Sequence, residues 1–451
     1  MDQPTKVSLT AKVLMGMALG IIVGLFINYT GLNAPGSFIN VYIVDGLFQV
    51  VGKMFVNALK MLVVPLVLFS LICGVCGIGN LNTLGRVGVK SFALYILTTA
   101  VAIATAILFA VTAGIGQGMQ ASTDSSFSGK EAPPLTDVFI NIIPTNPIAA
   151  MVNGEMLQVI FFAILVGISI LMVGKKARSF IEGAEIGNEV MMKMVTIVMA
   201  VAPYAVFALI AKAMAELGFD LLKVLIGYVL VLVLALLFHL FITLMVTLKV
   251  FSGLSPMRFI SKIRNVQVFA FSTASSNATI PVTMRTVTER LGVNNSVASF
   301  TVPFGATINM DGTAMMQGVA TVFIANIYGV ELGMSGYLTV IAMAVLASIG
   351  TAGVPGVGLV MLSMVFAQVG LPIEGIGLIL GVDRLLDMMR TAVNVSGDAV
   401  VSTIVAKSEG KLDLDVYNDP DAGLTTGDIV LDEEVERELA EVVTATHSRL
   451  E

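Results

Sequence analysis

The chain has 451 residues, of which 56% are hydrophobic and only 12% charged, and its mean hydropathy is +0.93. A soluble domain carries about a quarter charged residues, so there is too little polar surface here to coat a water-soluble body, and lipid is expected as the solvent for most of the chain. The net charge of −6 hides two unlike parts: residues 411–451 hold 3 Lys+Arg against 12 Asp+Glu, which leaves the remainder at +3. That division reads as a mildly basic membrane body followed by a solvated, acidic, cytoplasmic tail.

In chain order, apolar runs long enough to cross a bilayer of about 30 Å fall at residues 13–27, 54–78 (bent at Pro65), 92–113, 156–173, 191–210, 222–250, 297–327 and 376–405. The segment MDQPTKVSLTAK leads into a first span, with no small-residue cleavage site after it. Basic residues then set the orientation. Lys6 and Lys12, Arg86 and Lys90, Lys175, Lys176 and Arg178, and Arg258, Lys262 and Arg264 flank alternate spans, whereas residues 28–45 and 117–137 hold only Lys130. The positive-inside rule places the N-terminus and the basic loops in the cytoplasm, and eight spans with two re-entrant loops put the acidic tail there too, consistent with Lys407 and Lys411. Cys73 and Cys76 form a C-x-x-C within an apolar run and read as small packing residues. His239, in VLALLFHLFITL, has no identifiable partner and reads as a satisfied buried histidine rather than a proton relay.

Two segments do not fit a simple span. Residues 266–284 (VQVFAFSTASSNATIPVTM) and 345–365 (VLASIGTAGVPGVGLVMLSMV) each pair two short apolar arms around a small polar or Gly/Pro tip. Non-helical backbone at membrane depth must be buried in protein or line a cavity, so both are expected as re-entrant hairpins, the first entering from the cytoplasm and the second from outside. Each hairpin is followed by an Asn-x-x-Gly at which the next span is expected to break: Asn309 with Gly312, and Asn394 with Gly397. The expected fold is therefore all-α, with eight transmembrane helices, two re-entrant hairpins and an inverted repeat that places the site near the midplane.

Asp387, Arg390, Thr391, Asn394 and Asp398 share one helical face. Each buried charge costs at least about 2.5–3.5 kcal/mol in a membrane helix. An ion-pair network would explain Asp387 with Arg390, but not the continuation through Asn394 and Asp398. A ligand explains more: the planar fork of Arg390 matches a carboxylate, Asp387 suits an ammonium group, and Asn394 can donate to an α-carboxylate. Asp398, Asp311 and the amides of Asn309 and Asn394 are hard oxygen ligands suited to a cation such as Na⁺. With no G-x-x-x-x-G-K-[ST] loop, the energy source is expected to be an ion gradient.

The motifs STASSNATIP, NMDGT, GTAGVPGVG and DMMRTAVNVSGD closely resemble those of the dicarboxylate/amino acid:cation symporter family, which includes the glutamate transporters, and the likeness runs to about Lys411. The resemblance implies a homotrimer in lipid that takes up aspartate or glutamate with sodium by an elevator movement. Its scaffold would comprise residues 1–84 and 119–218, its transport domain 85–118 and 219–410, with the second hairpin as extracellular gate. It implies a substrate site of Ala274, Ser275, Ser276, Thr313, Val354, Gly358, Asp387, Arg390, Thr391 and Asn394. One sodium site would use Gly305, Asn309, Asn394 and Asp398. A second would use Thr307, Met310, Ser348, Ile349 and Thr351, and a third Tyr95, Thr98, Thr99, Asn309 and Asp311. No organic cofactor, nucleic-acid partner or enzymatic activity is expected.

Some members carry a second arginine where this chain has Ala274 or Met388. Arg384 could stand in for it, or could pair with Asp383. Gln317 occupies the place of a proton-carrying glutamate, and Asp398 one that is Asn in proton-coupled members; both imply sodium-only coupling. Rival readings keep the fold but carry C4-dicarboxylates, which Asp387 would repel, or neutral amino acids, which would leave Arg390 without an anion. A channel or a membrane enzyme is the remaining alternative.

Overall fold

The computed structural model describes residues 9–76, 84–118, 143–351, 353 and 355–423, so Val354 and most of the acidic tail lie outside the described residues. The described chain is helical throughout, with a single isolated β-bridge, Val293 to Leu412. Helix α1 is Leu9–Tyr29, α2 Gln49–Cys76, α3 Val89–Thr112, α4 Pro147–Asn153, α5 Met156–Val173, α6 Arg178–Ala200, α7 Ala202–Phe238 and α8 Leu244–Ser252. There follow α9 Pro256–Thr273, α10 Ser276–Arg285, α11 Asn295–Ile308, α12 Asp311–Ile327, α13 Gly333–Gly350, α14 Val357–Gln368, α15 Ile376–Ser408 and α16 Leu414–Asn418.

Among the described residues, five stretches are long and apolar enough to cross a membrane: Ala11–Tyr29, Ile39–Cys73, Arg86–Thr112, Gln158–Ala200 and Ala202–Ser252. The apolar runs at 297–327 and 376–405 are absent from that set for opposite reasons. The first is divided into α11 and α12, and the second is one 33-residue helix carrying Asp383, Arg384, Asp387, Arg390 and Asp398. Helix α1 lies close against α7, because Gly16, Gly20 and Gly24 present no side chain there. A Cβ on each would fall 2.4, 2.8 and 2.5 Å from the carbonyl oxygens of Pro203, Phe207 and Ala211. Small residues at four-residue spacing let membrane helices approach in this way. Helix α7 carries a break at Gly218, whose φ of 63° is open to glycine at no steric cost.

The α9–α10 and α13–α14 pairs are helical hairpins, each with its two arms in contact. Their outer arms are longer than the apolar pattern suggests, since α9 and α13 are both 18 residues. Polar residues such as Arg258, Lys262 and Arg264 conceal the start of α9 from a hydropathy reading. Helix α15 packs on α7, α9, α11 and α12 and forms the axis of this half of the molecule.

After α15 the chain turns back beneath the first hairpin. Glu409 accepts from Lys90 at 2.6 Å and pairs with Arg86 at 3.0 Å; the Lys90 hydrogen bond, followed by the Arg86 charge, holds its carboxyl below the ordinary value. Asn294 N–H donates to Lys411 O (3.0 Å) and Asp413 N–H to Gly292 O (2.8 Å). The Lys262 ammonium, 1% exposed, donates to the carbonyls of Arg290 and Val416, both at 2.6 Å. Fully buried Tyr417 donates its hydroxyl to Ser255 O at 3.0 Å. Residues 411–418 thus strap both legs of the first hairpin to the foot of α15.

Candidate functional site

The site starts where α11 stops. Asn309 (φ −94°, ψ 87°) and Met310 (φ −114°, ψ 50°) leave the helical region, and α12 resumes at Asp311. Backbone groups freed in a membrane must be satisfied by neighbouring side chains. Ser348 of α13 does this from one side, donating to Ile308 O at 2.6 Å and accepting from Met310 N–H at 3.0 Å. Asn394 of α15 does it from the other, where Oδ1 accepts from Gly312 N–H at 2.7 Å. The same amide donates to Met310 Sδ at 3.3 Å and reaches Thr313 Oγ1 at 3.5 Å.

The expected break at the second Asn-x-x-Gly is not present. Helix α15 continues unbroken through Asn394–Gly397. Gly397 instead serves close approach, because a Cβ there would lie 2.5 Å from Asn309 Nδ2 and 3.5 Å from Asp311 Oδ2. The two motifs converge as one helix packing into the break of the other. Asn309 Nδ2 donates to Asp398 Oδ1 at 2.9 Å and Asn394 O at 3.2 Å, while Asn309 Oδ1, fully buried, has no hydrogen-bond partner. Gly305 lies beneath this cluster: a Cβ on it would meet Asp398 Oδ1 at 2.4 Å and the Tyr95 hydroxyl at 2.7 Å. Tyr95 donates to Thr301 O at 2.9 Å, and Thr99 donates to Asp311 Oδ1 at 2.5 Å. The unpartnered amide oxygen sits in a set of carboxylate, amide, hydroxyl and carbonyl oxygens, a donor set that fits a hard cation.

One turn along α15 the charges pair within the helix. Arg390, wholly buried, donates Nη1 to Asp383 Oδ1 at 2.7 Å and Nη2 to Asp387 Oδ1 at 2.8 Å, and its Nε has no partner. Arg384 lies 3.7 Å from the other Asp387 oxygen, so it reaches Asp387 while Arg390 takes Asp383. Asp383 is absent from the sequence-based stripe although it continues it, four residues before Asp387 and seven before Arg390.

The hairpin tips close over these groups. Ser275 Oγ donates to Gly353 O at 2.7 Å, and Asn277 N–H donates to the same oxygen at 3.0 Å, so the tips meet directly. Gly356 N–H donates to Asp387 Oδ2 at 3.2 Å. A Cβ on Gly358 would lie 2.9 Å from Thr313 and 3.6 Å from Arg390 Nη2, so the second tip rests on the arginine fork. Ala274 caps α9 at φ 49°, a left-handed conformation that costs a non-glycine residue roughly 1–2 kcal/mol.

Most expected site residues therefore come together among the described ones. Ser276, Ile349 and Thr351 are buried beside the tips. Thr98, Thr307, Thr351 and Thr391 return their hydroxyls to carbonyls of their own helices. Cys76 is buried and Cys73 half-buried, both free thiols, with Cys76 Sγ 3.8 Å from Gly167 O. The reading of His239 needs correction. It has a partner, Asp311 Oδ2 at 3.0 Å, and it is not fully satisfied, since Nδ1 has none. The two lie 72 positions apart in the chain, so no local spacing reveals the pair.

The chain is 35% identical over 420 residues to a proton/glutamate-aspartate symporter of Escherichia coli (strain K12), covering 90% of this chain and 94% of that protein. It is 32% identical over 415 residues to a proton/sodium-glutamate symport protein of Bacillus caldotenax, covering 90% and 96%. A C4-dicarboxylate transport protein of Bacillus subtilis (strain 168) is 29% identical over 414 residues, covering 90% and 94%. The family model described as sodium:dicarboxylate symporter matches residues 9–408, which include every helix from α1 to α15. With these apolar helices and a match over nearly its whole length, the chain is an integral membrane protein and belongs to the sodium:dicarboxylate symporter family.

Proposed function

We propose that this protein takes up aspartate or glutamate together with sodium. The observation that carries the reading is Arg390, fully buried, with its fork held by two aspartates directly beneath the second hairpin tip. A side-chain carboxylate of the substrate competes for that fork and releases Asp387 to meet the ammonium group. Asp383 remains as the arginine's standing counter-charge. Thr313, Thr391, Asn394, Ser275, Ser276 and the backbones of Ala274, Val354 and Gly358 complete the contacts. An acidic amino acid brings a net charge of −1, and Asp311 and Asp398 are themselves buried at 0% and 1% exposure. Binding substrate without a cation would therefore add charge to an already anionic, dry site. Sodium ions at the Asn309–Asp398, Ser348–Met310 and Tyr95–Asp311 clusters offset it.

The full reading is of eight spans with two re-entrant hairpins, a homotrimer in the bacterial inner membrane with both termini cytoplasmic, and elevator movement of residues 85–118 and 219–410 against 1–84 and 119–218. The Gly218 break supports the last of these boundaries. Sodium coupling is favoured over proton coupling because Gln317 is an amide, which releases no proton at neutral pH. Isothermal titration of purified protein with aspartate, glutamate and succinate, with and without sodium, tests the proposal. The expected result is heat from the amino acids in sodium alone. Tight sodium-free binding refutes the coupling, and succinate binding that matches aspartate refutes the role of Asp387.

A further inference from the structure

We propose that His239 is a positioning residue for ion binding, holding the Asp311 carboxylate in place from outside the ligand set. This inference rests on the reading of Asp311 as a sodium ligand. His239 and Asp311 are both fully buried, and Nε2 lies 3.0 Å from Oδ2. The other oxygen, Oδ1, takes the Thr99 hydroxyl at 2.5 Å. The carboxylate is thereby clamped from two sides, by α3 through Thr99 and by the end of α7 through His239, which fixes the rotation of its plane.

The tautomer follows from the surroundings. A carboxylate only accepts, so the hydrogen facing Asp311 sits on Nε2. Nδ1 has no partner, and an N–H there would be a buried donor with nothing to receive it. Leu236, about one turn earlier, and the adjacent Leu240 are 1% and 8% exposed, so the ring sits in dry, apolar surroundings. His239 also opens a π-helical turn, His239–Thr243, between α7 and α8. Such local widening of a helix recurs at functional sites. A polar ring in an otherwise apolar run costs stability unless it serves another group, and here that group is one carboxylate.

Partners that hydrogen-bond and orient a ligating group typically contribute about 10–100-fold to ion affinity. The test compares His239→Leu, which fills the space without a donor, with His239→Gln, whose amide N–H reaches the same oxygen. Two quantities are measured on purified protein: the sodium concentration giving half of the thermal stabilisation produced by sodium alone, and aspartate affinity at saturating sodium. The leucine variant is expected to raise the sodium midpoint at least about tenfold, with glutamine restoring most of it and aspartate affinity at saturating sodium kept. A leucine variant with an unchanged or lower midpoint overturns the proposal. Equal impairment of the two variants also overturns it, since the hydrogen bond would then not be the agent. Should the leucine variant not survive purification, His239→Asn, too short to reach Asp311, takes its place. Asp311→Asn is run alongside: a wild-type sodium titration there refutes the underlying reading of Asp311, an outcome separate from failure of the histidine variants.

Discussion

Gly305→Ala tests the ion cluster with the smallest possible perturbation. The added methyl would lie 2.4 Å from Asp398 Oδ1 and 2.7 Å from the Tyr95 hydroxyl. Non-bonded carbon contacts are comfortable only near 3.5 Å, so the carboxylate has to retreat by roughly 1 Å. The glycine backbone cannot easily yield instead, because its carbonyl accepts the Asn309 N–H at 2.7 Å and anchors the end of α11. Asn309 Nδ2 now donates to Asp398 at 2.9 Å. A further 1 Å takes that contact beyond hydrogen-bond range. A hydrogen bond to a charged group contributes about 1.5–3 kcal/mol, equivalent to roughly 10–150-fold in a binding constant. The half-saturating sodium concentration for aspartate binding, read by isothermal titration, is expected to rise by that factor. Aspartate affinity at saturating sodium should change much less, because Asp387 and Arg390 are not touched. A folded Gly305→Ala protein with a wild-type sodium curve would show that the Asp398–Asn309 cluster does not bind the coupling ion.

Two further substitutions divide the site by task. Arg390→Ala removes the fork that holds Asp383 and Asp387, so uptake of radiolabelled aspartate and glutamate is expected to vanish while a neutral amino acid gains access; retained acidic uptake contradicts the assignment. Asp398→Asn keeps the side-chain shape but removes the charge beside Asn309, and should raise the sodium requirement at least about tenfold, by the loss of a charged contact. An unchanged sodium titration of uptake in proteoliposomes refutes the cation role.

The charged stripe on α15 was legible because helical spacing alone aligns Asp387, Arg390, Asn394 and Asp398, and membrane burial makes such a row costly without a task. The tips were legible from Gly, Pro and Ser clusters between apolar arms. What spacing could not supply was the meaning of each glycine. Gly312 and Gly397 sit in the same motif. One follows a real interruption at Asn309–Met310 and lets α12 approach Arg390, whose carbonyl oxygen lies 2.6 Å from where a Cβ would fall, and the other lets an unbroken helix approach Asn309. Both glycines signal a near neighbour, and only the fold decides whether the helix beside each one breaks. The pairing of His239 with Asp311 escaped for a related reason, since it joins helices far apart in the chain. Asp383 was within reach of spacing, and its role lay in pairing with Arg390 rather than in the ligand set.

The strap at residues 411–418 has a mechanical consequence. It joins the first hairpin to the foot of the helix that carries Arg390 and Asp398, through Lys262, Tyr417 and the Val293–Leu412 bridge. These parts form one lever, and any displacement of α15 carries the first hairpin with it. The second hairpin meets α15 at its tip, through the Gly356–Asp387 bond, on the carboxylate proposed above to meet the substrate's ammonium group. On that proposal ligand arrival loosens the second hairpin, while the strap at residues 411–418 keeps the first one tied to α15.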